Sequence, residues 1–190
     1  MGVADRAQIL RLIAESDAAL VAAVSGVSEE GARKRPERAR WSLQECVAHV
    51  ILVEDGVFAS ISVRSTPGSP PAELRREGQI LRGMTKREHK FTAPEFAEPT
   101  GRYSSLAEAL QEFRKRRART VAYVEQYQDD LRNRTTLHPA LGPVSCQEMF
   151  LVLALHPARH ALQIREARNS LGLESTAMCG RISMVIRRTA

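Results

Sequence analysis

Aromatic residues are scarce in this chain of 190 residues, at 5% of positions with one tryptophan. Ala, Leu, Glu and Arg are plentiful instead, which favours helix. Cysteine is nearly absent as well. Cys46, Cys146 and Cys179 are odd in number and contain no C-x-x-C pair, which argues against a disulfide framework and a thiolate zinc site. A reducing cytoplasm is the compartment that suits such usage. Long apolar runs are missing: none approaches the ~20 residues of a membrane span. The first residues, MGVADRAQILRLIAES, carry charges throughout and lack the apolar centre of a signal peptide. Arg6 stands where a myristoylation signal needs Ser or Thr, which excludes that reading of Met1-Gly2. No internal repeat is present.

What remains is an ordinary globular composition, 43% hydrophobic and 26% charged, with a formal net charge of +6. The charge permits anionic partners without requiring them. The length suits one domain with a core of its own. Residues 4–25 read as a first helix, with Ile9, Leu10, Ile13, Leu20 and Val24 in a loose apolar stripe. Residues 26–40 are polar, broken by Gly31 and Pro36, and read as a loop. Ser42-Leu43-Gln44-Glu45 then fits a capping box, opening a helix to about Ser62 that is apolar nearly all round. Residues 63–102 are punctuated by Pro and Gly, with a short helix expected over 72–84. A connection this long is usually functional or disordered, and for a site at one end of the bundle it is the natural lid. A second box, Ser105 to Glu108, opens a helix to about Asp130. Its stripe contains Arg117 where an apolar residue belongs, within RKRRAR (114–119). Residues 132–144 read as a turn-rich link. A third box, Ser145 to Glu148, opens the last helix, which Gly172 stops. The expected fold is therefore all-α, an up-down four-helix bundle over residues 1–170 with a long irregular connection between helices 2 and 3. Residues 171–190 form a tail that packs as a short extra helix.

Histidine carries the chemistry. His156 and His160 are four residues apart and lie on one helix face, one turn above the other. His49 sits mid-helix on the other strongly apolar helix. A single histidine in apolar surroundings is most simply a hydrogen-bonded core residue. Three on two facing helices form a nitrogen set of the kind zinc, nickel or iron prefers. With water as fourth ligand, such a set has the coordination of a catalytic site. Arg159 and Gln163 lie near the same face and are candidates for orienting a ligand or substrate. Glu45, one turn before His49, is a candidate general base or an acceptor that orients a ligating histidine through a hydrogen bond, though its capping role explains it without function. Cys46 is a candidate fourth ligand. Arg117 either snorkels to solvent or faces the cavity to hold an anionic group of a cofactor; snorkelling is the preferred expectation. His89 and His138 fall in loops, and His138-Pro139 reads as structural. The 114–119 run reads as a solvated face, since it lacks the interleaved aromatics of a single-strand binder.

The segments WSLQECVAHV (41–50), LHPALGPVSCQEM (137–149) and LALHPARHALQI (153–164) resemble the DinB superfamily of four-helix bundles. The likeness extends in order and spacing to about residue 170. It implies a metal-binding triad of His49, His156 and His160. It also implies relatives that include thiol-dependent transferases and isomerases using bacillithiol or mycothiol, many of them dimers. One departure is Pro157, inside the ligand pair, where a shift of His156 would alter the metal geometry. The expectation is a cytoplasmic, metal-dependent enzyme of small molecules, a thiol transferase or a hydrolase. It would use a divalent zinc, nickel or iron ion, with a low-molecular-weight thiol as second cofactor in the transferase case and a homodimer as its assembly. The alternatives are a non-catalytic binding or sensor module and, third, a nucleic-acid binder. Neither membrane nor nucleic acid is the expected partner.

Overall fold

The computed structural model describes residues 2–87, 92–99 and 101–173. Four long helices dominate: α1 (Val3–Val24), α3 (Leu43–Ser62), α5 (Leu106–Gln126) and α6 (Cys146–Leu171). Two short ones, α2 (Glu29–Arg33) and α4 (Glu77–Gly83), lie in the connections. The all-α bundle expected from the sequence is what forms, and none of the described helices is long and apolar enough to cross a membrane. The segment 174–190, expected as a packed tail helix, lies outside the described residues.

Contacts between the long helices fix their directions. Gln44, at the start of α3, donates to the carbonyl of Tyr103 just before α5, while Phe58 packs edge-on against Tyr123 near the α3 and α5 C-termini. These two helices are therefore parallel. Arg117 reaches Leu153 and Tyr123 reaches Phe150, so α5 and α6 are antiparallel. Arg168, near the end of α6, donates to Ala23 at the end of α1, so α1 and α6 run together. The order is up, down, down, up. Two parallel neighbours need a connection that returns along the whole bundle, which is the physical reason for the long segment 63–105.

The starts of the helices follow their caps. Both reciprocal bonds of the box are present at Ser42–Glu45 and at Ser145–Glu148. The third is half formed: Ser105 accepts from Glu108, but Glu108 reaches back to Ser104 instead. The free N–H groups of Leu106 and Ala107 are taken by Glu29 of α2, a helix inside the segment expected as loop. The link 132–144 is not merely turns. It forms a hairpin, β2 (Arg134–His138) with β3 (Gly142–Ser145), and β1 (Thr66–Pro67) adds to it antiparallel, pairing Thr66 with Thr135. Gly142, at φ 70°, takes the left-handed turn that closes the hairpin, and Ser145 passes directly from β3 into the α6 cap.

The core is two apolar clusters stacked along the bundle axis. One gathers Leu20, Leu43, Val47, Phe113 and Ile164; the other gathers Ile9, Ile13, Val124, Met149, Phe150 and Leu151. Between them runs a polar layer on the four long helices, with Glu54, Arg117, Thr120, His156 and His160 buried and Asp17 half-buried at its edge. His156 and His160 of the candidate metal centre belong to that layer.

Candidate metal centre

Helix α3 supplies His49 and helix α6 supplies His156 and His160. One ring nitrogen from each lies within 4.8 Å of the others. The Nε2 atoms of His156 and His160 are 3.0 Å apart. All three residues are buried, at 5%, 9% and 6% exposure. The Nδ1–H of His49 donates to the carbonyl of Ala97 at 2.7 Å, which holds the ring and leaves Nε2 with a free lone pair. The Nδ1 of His160 is buried without a partner at hydrogen-bond geometry, though the side chain of Gln163 acts on that ring.

The electrostatics keep these rings neutral. Burial pushes the basicity of His156 and His160 well below that of free imidazole; next in weight, the His160 and His49 rings lower His156, and His49 with Arg87 and Arg159 lowers His160. Burial lowers His49 too, against the opposing bond to Ala97. A histidine must be neutral to ligate a metal, so the protein presents ligands ready for one. Two nitrogens bound tetrahedrally to zinc at about 2.0–2.1 Å lie about 3.3 Å apart, close to the 3.0 Å between His156 and His160. The donor set thus fits a divalent transition metal. Among the described residues no Cys, Asp or Glu joins the set, and three nitrogens with an open position is the arrangement of catalytic sites. Cys46 is fully buried, its thiol pushed up to about 12 by that burial, and stays out of the ligand set.

The site lies at mid-bundle rather than at one end. Its cover comes from Trp41 and from the long connection that the sequence offered as a lid. The ring of Trp41 lies 4.6 Å from that of His49 and 6.5 Å from that of His160. The returning connection passes beside the rings, bound there by His49 at Ala97 and by Arg159, which donates to the carbonyls of Met84 (3.2 Å) and Lys86.

The remaining sequence-derived candidates divide clearly. Gln163 is brought against the triad, while its Oε1 accepts from Arg87 at 3.3 Å. Arg159 donates to the backbone of the connection beside the triad. Glu45 is engaged as the cap of α3 and paired with Arg35; burial raises its pKa, but Arg35 and Ser42 outweigh that and hold it low, which does not suit a general base. His138 accepts from Ala140 and Leu141 inside its own hairpin turn and is structural. His89 lies outside the described residues.

Arg117 requires a correction. It does not snorkel: it is 3% exposed, ion-paired with Asp17 at 3.0 Å and Glu54 at 3.2 Å. The anionic groups it holds are these two protein carboxylates, which occupy the guanidinium in place of a cofactor. Thr120 donates to Glu54 beside them. Burial pushes Asp17 up to about 6 and raises Glu54 as well. The signal for Glu54 was in the sequence, as a carboxylate inside a helix otherwise apolar on that side. Asp17 gave no comparable sign. In the RKRRAR run, Arg116 and Arg119 pair with Asp55 and Lys115 with Glu112, in keeping with a solvated face.

A family model for the DinB superfamily matches residues 12–164. A solved structure of YfiT from Bacillus subtilis, described as a probable metal-dependent hydrolase with an unusual four-helix bundle topology, resembles this fold with a TM-score of 0.59. The two chains are 14% identical, and the match covers 90% of each. At that identity the likeness speaks for the fold. No curated protein matches the sequence.

Proposed function

This chain belongs to the DinB superfamily, and from that premise we propose that it is a metal-dependent hydrolase of small molecules, built on a divalent transition metal held by His49, His156 and His160. The observation that carries the reading is the convergence of three buried imidazoles whose surroundings keep them unprotonated. The description of YfiT as a probable metal-dependent hydrolase supports the same class of chemistry. When bound, a zinc, nickel or iron ion supplies a Lewis acid that makes water a nucleophile at neutral pH.

The chain's own residues do the rest. His49, locked through Nδ1 by Ala97, offers Nε2 in a fixed orientation. Gln163 acts on the His160 ring from one turn away. Trp41 and the strand of connection held by Arg159 keep bulk water from the far side of the rings. Thiol transfer is the second reading within the family. It loses ground because Arg117, the residue offered for a cofactor anion, is engaged by Asp17 and Glu54. We place the protein in the cytoplasm, acting on a small-molecule substrate, with a homodimer as its assembly.

The test is elemental analysis of protein purified without a histidine tag, beside His49→Ala. About one equivalent of zinc, nickel or iron in the wild type, lost in the variant, is the expected result. Ester and amide hydrolysis that disappears with chelator and returns with metal completes it. Protein that takes up no metal after reconstitution refutes the reading and leaves a bundle with a binding or sensor role.

A further inference from the structure

We propose that Arg117 is a positioning residue for the ligand-bearing helix: its guanidinium replaces the backbone donor that Pro157 removes, and so sets where His156 stands relative to His160. The inference rests on the metal-centre reading only for its metal measurement.

A helical residue donates its N–H to the carbonyl four residues earlier. Proline has no N–H, and its ring crowds that carbonyl. Pro157 lies inside α6, which runs without interruption from Cys146 to Leu171. The carbonyl it deprives is that of Leu153, whose residue is 1% exposed. A buried carbonyl without a donor is costly, and prolines within helices are where kinks arise. In this protein the donor comes from another helix. Arg117 Nη1 and Nη2 approach the Leu153 oxygen at 3.5 and 3.4 Å. These are long contacts, yet the donor is a cation in an interior where charge-assisted bonds are strong.

The guanidinium is held there from two further sides. Its Nε faces Asp17 of α1 and its Nη1 faces Glu54 of α3, whose carboxylate also accepts from Thr120. One side chain of α5 therefore joins α1, α3 and α6 at the level of the polar layer. Leu153 lies three residues before His156, and Pro157 follows it. A Leu153 carbonyl tilting outward in search of a donor would rotate this turn and carry His156 away from His160. The alternative role for Arg117 is structural only, neutralising Asp17 and Glu54.

Restoring the missing donor separates the two roles. Pro157→Ala returns an N–H to the Leu153 carbonyl. Arg117→Lys keeps the charge but loses the planar fork. In the wild-type background, Arg117→Lys should weaken Co(II) binding about tenfold, the scale seen when groups supporting metal ligands are altered, and should change the visible Co(II) spectrum. In the Pro157→Ala background the same change should be less than about twofold, with the spectrum preserved. Equal losses in both backgrounds overturn the proposal. A metal-free arm uses the imidazole ¹⁵N shifts of His156 and His160. They should move with Arg117→Lys and return in the double variant; unmoved shifts overturn the proposal even if the wild type binds no metal, an outcome that by itself refutes only the functional reading. Should Arg117→Lys not fold, Asp17→Asn, Glu54→Gln and Arg117→Met together remove the guanidinium with both charges, and the same comparison with Pro157→Ala decides.

Discussion

Acid should destabilise the metal-free protein at a pH that most proteins tolerate. The perturbation is a fall from pH 7.5 to 5.5 in the presence of chelator. His49, His156 and His160 are all less basic folded than at their ordinary value of 6.5, the last two by a wide margin, and burial is the first cause for each. A depressed value means that the folded state binds fewer protons. The stability these groups contribute is complete above pH 6.5 and is lost as pH falls toward their folded values. A histidine that stays neutral over this fall, while its unfolded counterpart protonates, costs about 1.4 kcal/mol. His156 and His160 together therefore remove about 3 kcal/mol, and His49 adds to the loss. Asp17 works in the opposite direction. Pushed up from 3.8 to about 6 by burial, its stabilising protonated form is lost as pH rises through 6 and regained as pH falls below it. With 26% of that side chain exposed, it returns less than about 1 kcal/mol by pH 5.5. Glu54, also raised by burial, acts in the same sense. Asp5, held low by Arg132, loses its contribution only in the carboxylate range below this window. A net loss of about 2 kcal/mol is large against a total of roughly 5–15 kcal/mol. Urea unfolding at a series of pH values measures it. His156→Ala should flatten the slope, Asp17→Asn should steepen it, and zinc should restore stability by mass action. A wild-type stability that is level between pH 7.5 and 5.5, or a slope unchanged in His156→Ala, refutes the reasoning.

Trp41 is the single tryptophan and lies against the His49 ring, so Co(II) should quench its emission and saturate near one equivalent; undiminished emission at saturating Co(II), or quenching that persists in His49→Ala, would mean that no ion enters the triad. Arg159→Ala frees the carbonyls of Met84 and Lys86. At about 1.5 kcal/mol for a part-buried bond to a charged group, it should speed amide exchange over residues 84–87 and the loss of metal to chelator, whereas unchanged exchange would show that the connection is held elsewhere. Ser145→Ala removes the oxygen that caps Glu148 at 3.1 Å and should cost about 1 kcal/mol in thermal unfolding, with metal affinity unaltered; a changed affinity would contradict the separation of this cap from the site.

The parts of the fold legible in the sequence are those governed by local rules. Helical spacing and serine caps located α3 and α6 to within a few residues, and Gly172 ended α6 at a φ of 63° as a left-handed cap should. The same periodicity put His156 and His160 on one face. The hairpin was not legible, because Arg-Thr-Thr-Leu-His in β2 has no apolar alternation and owes its pairing to β1 and β3. Nor was the parallel course of α3 and α5, since nothing in a stripe of apolar residues records which way a helix points.

Arg117 shows why the site was only partly legible. Judged on α5 alone, an arginine in an apolar stripe extends to water, because lone buried charge is prohibitive. That argument fails when partners arrive from other helices, and Asp17 and Glu54 are distant in sequence. Pro157 was misleading for the matching reason: within α6 it removes a donor and threatens the spacing of the ligand pair. The two anomalies meet at the Leu153 carbonyl. Two exceptions to local rules, on different helices, are each the other's physical explanation. A polar layer between two apolar clusters is then what keeps His156 and His160 aligned along a helix that contains a proline.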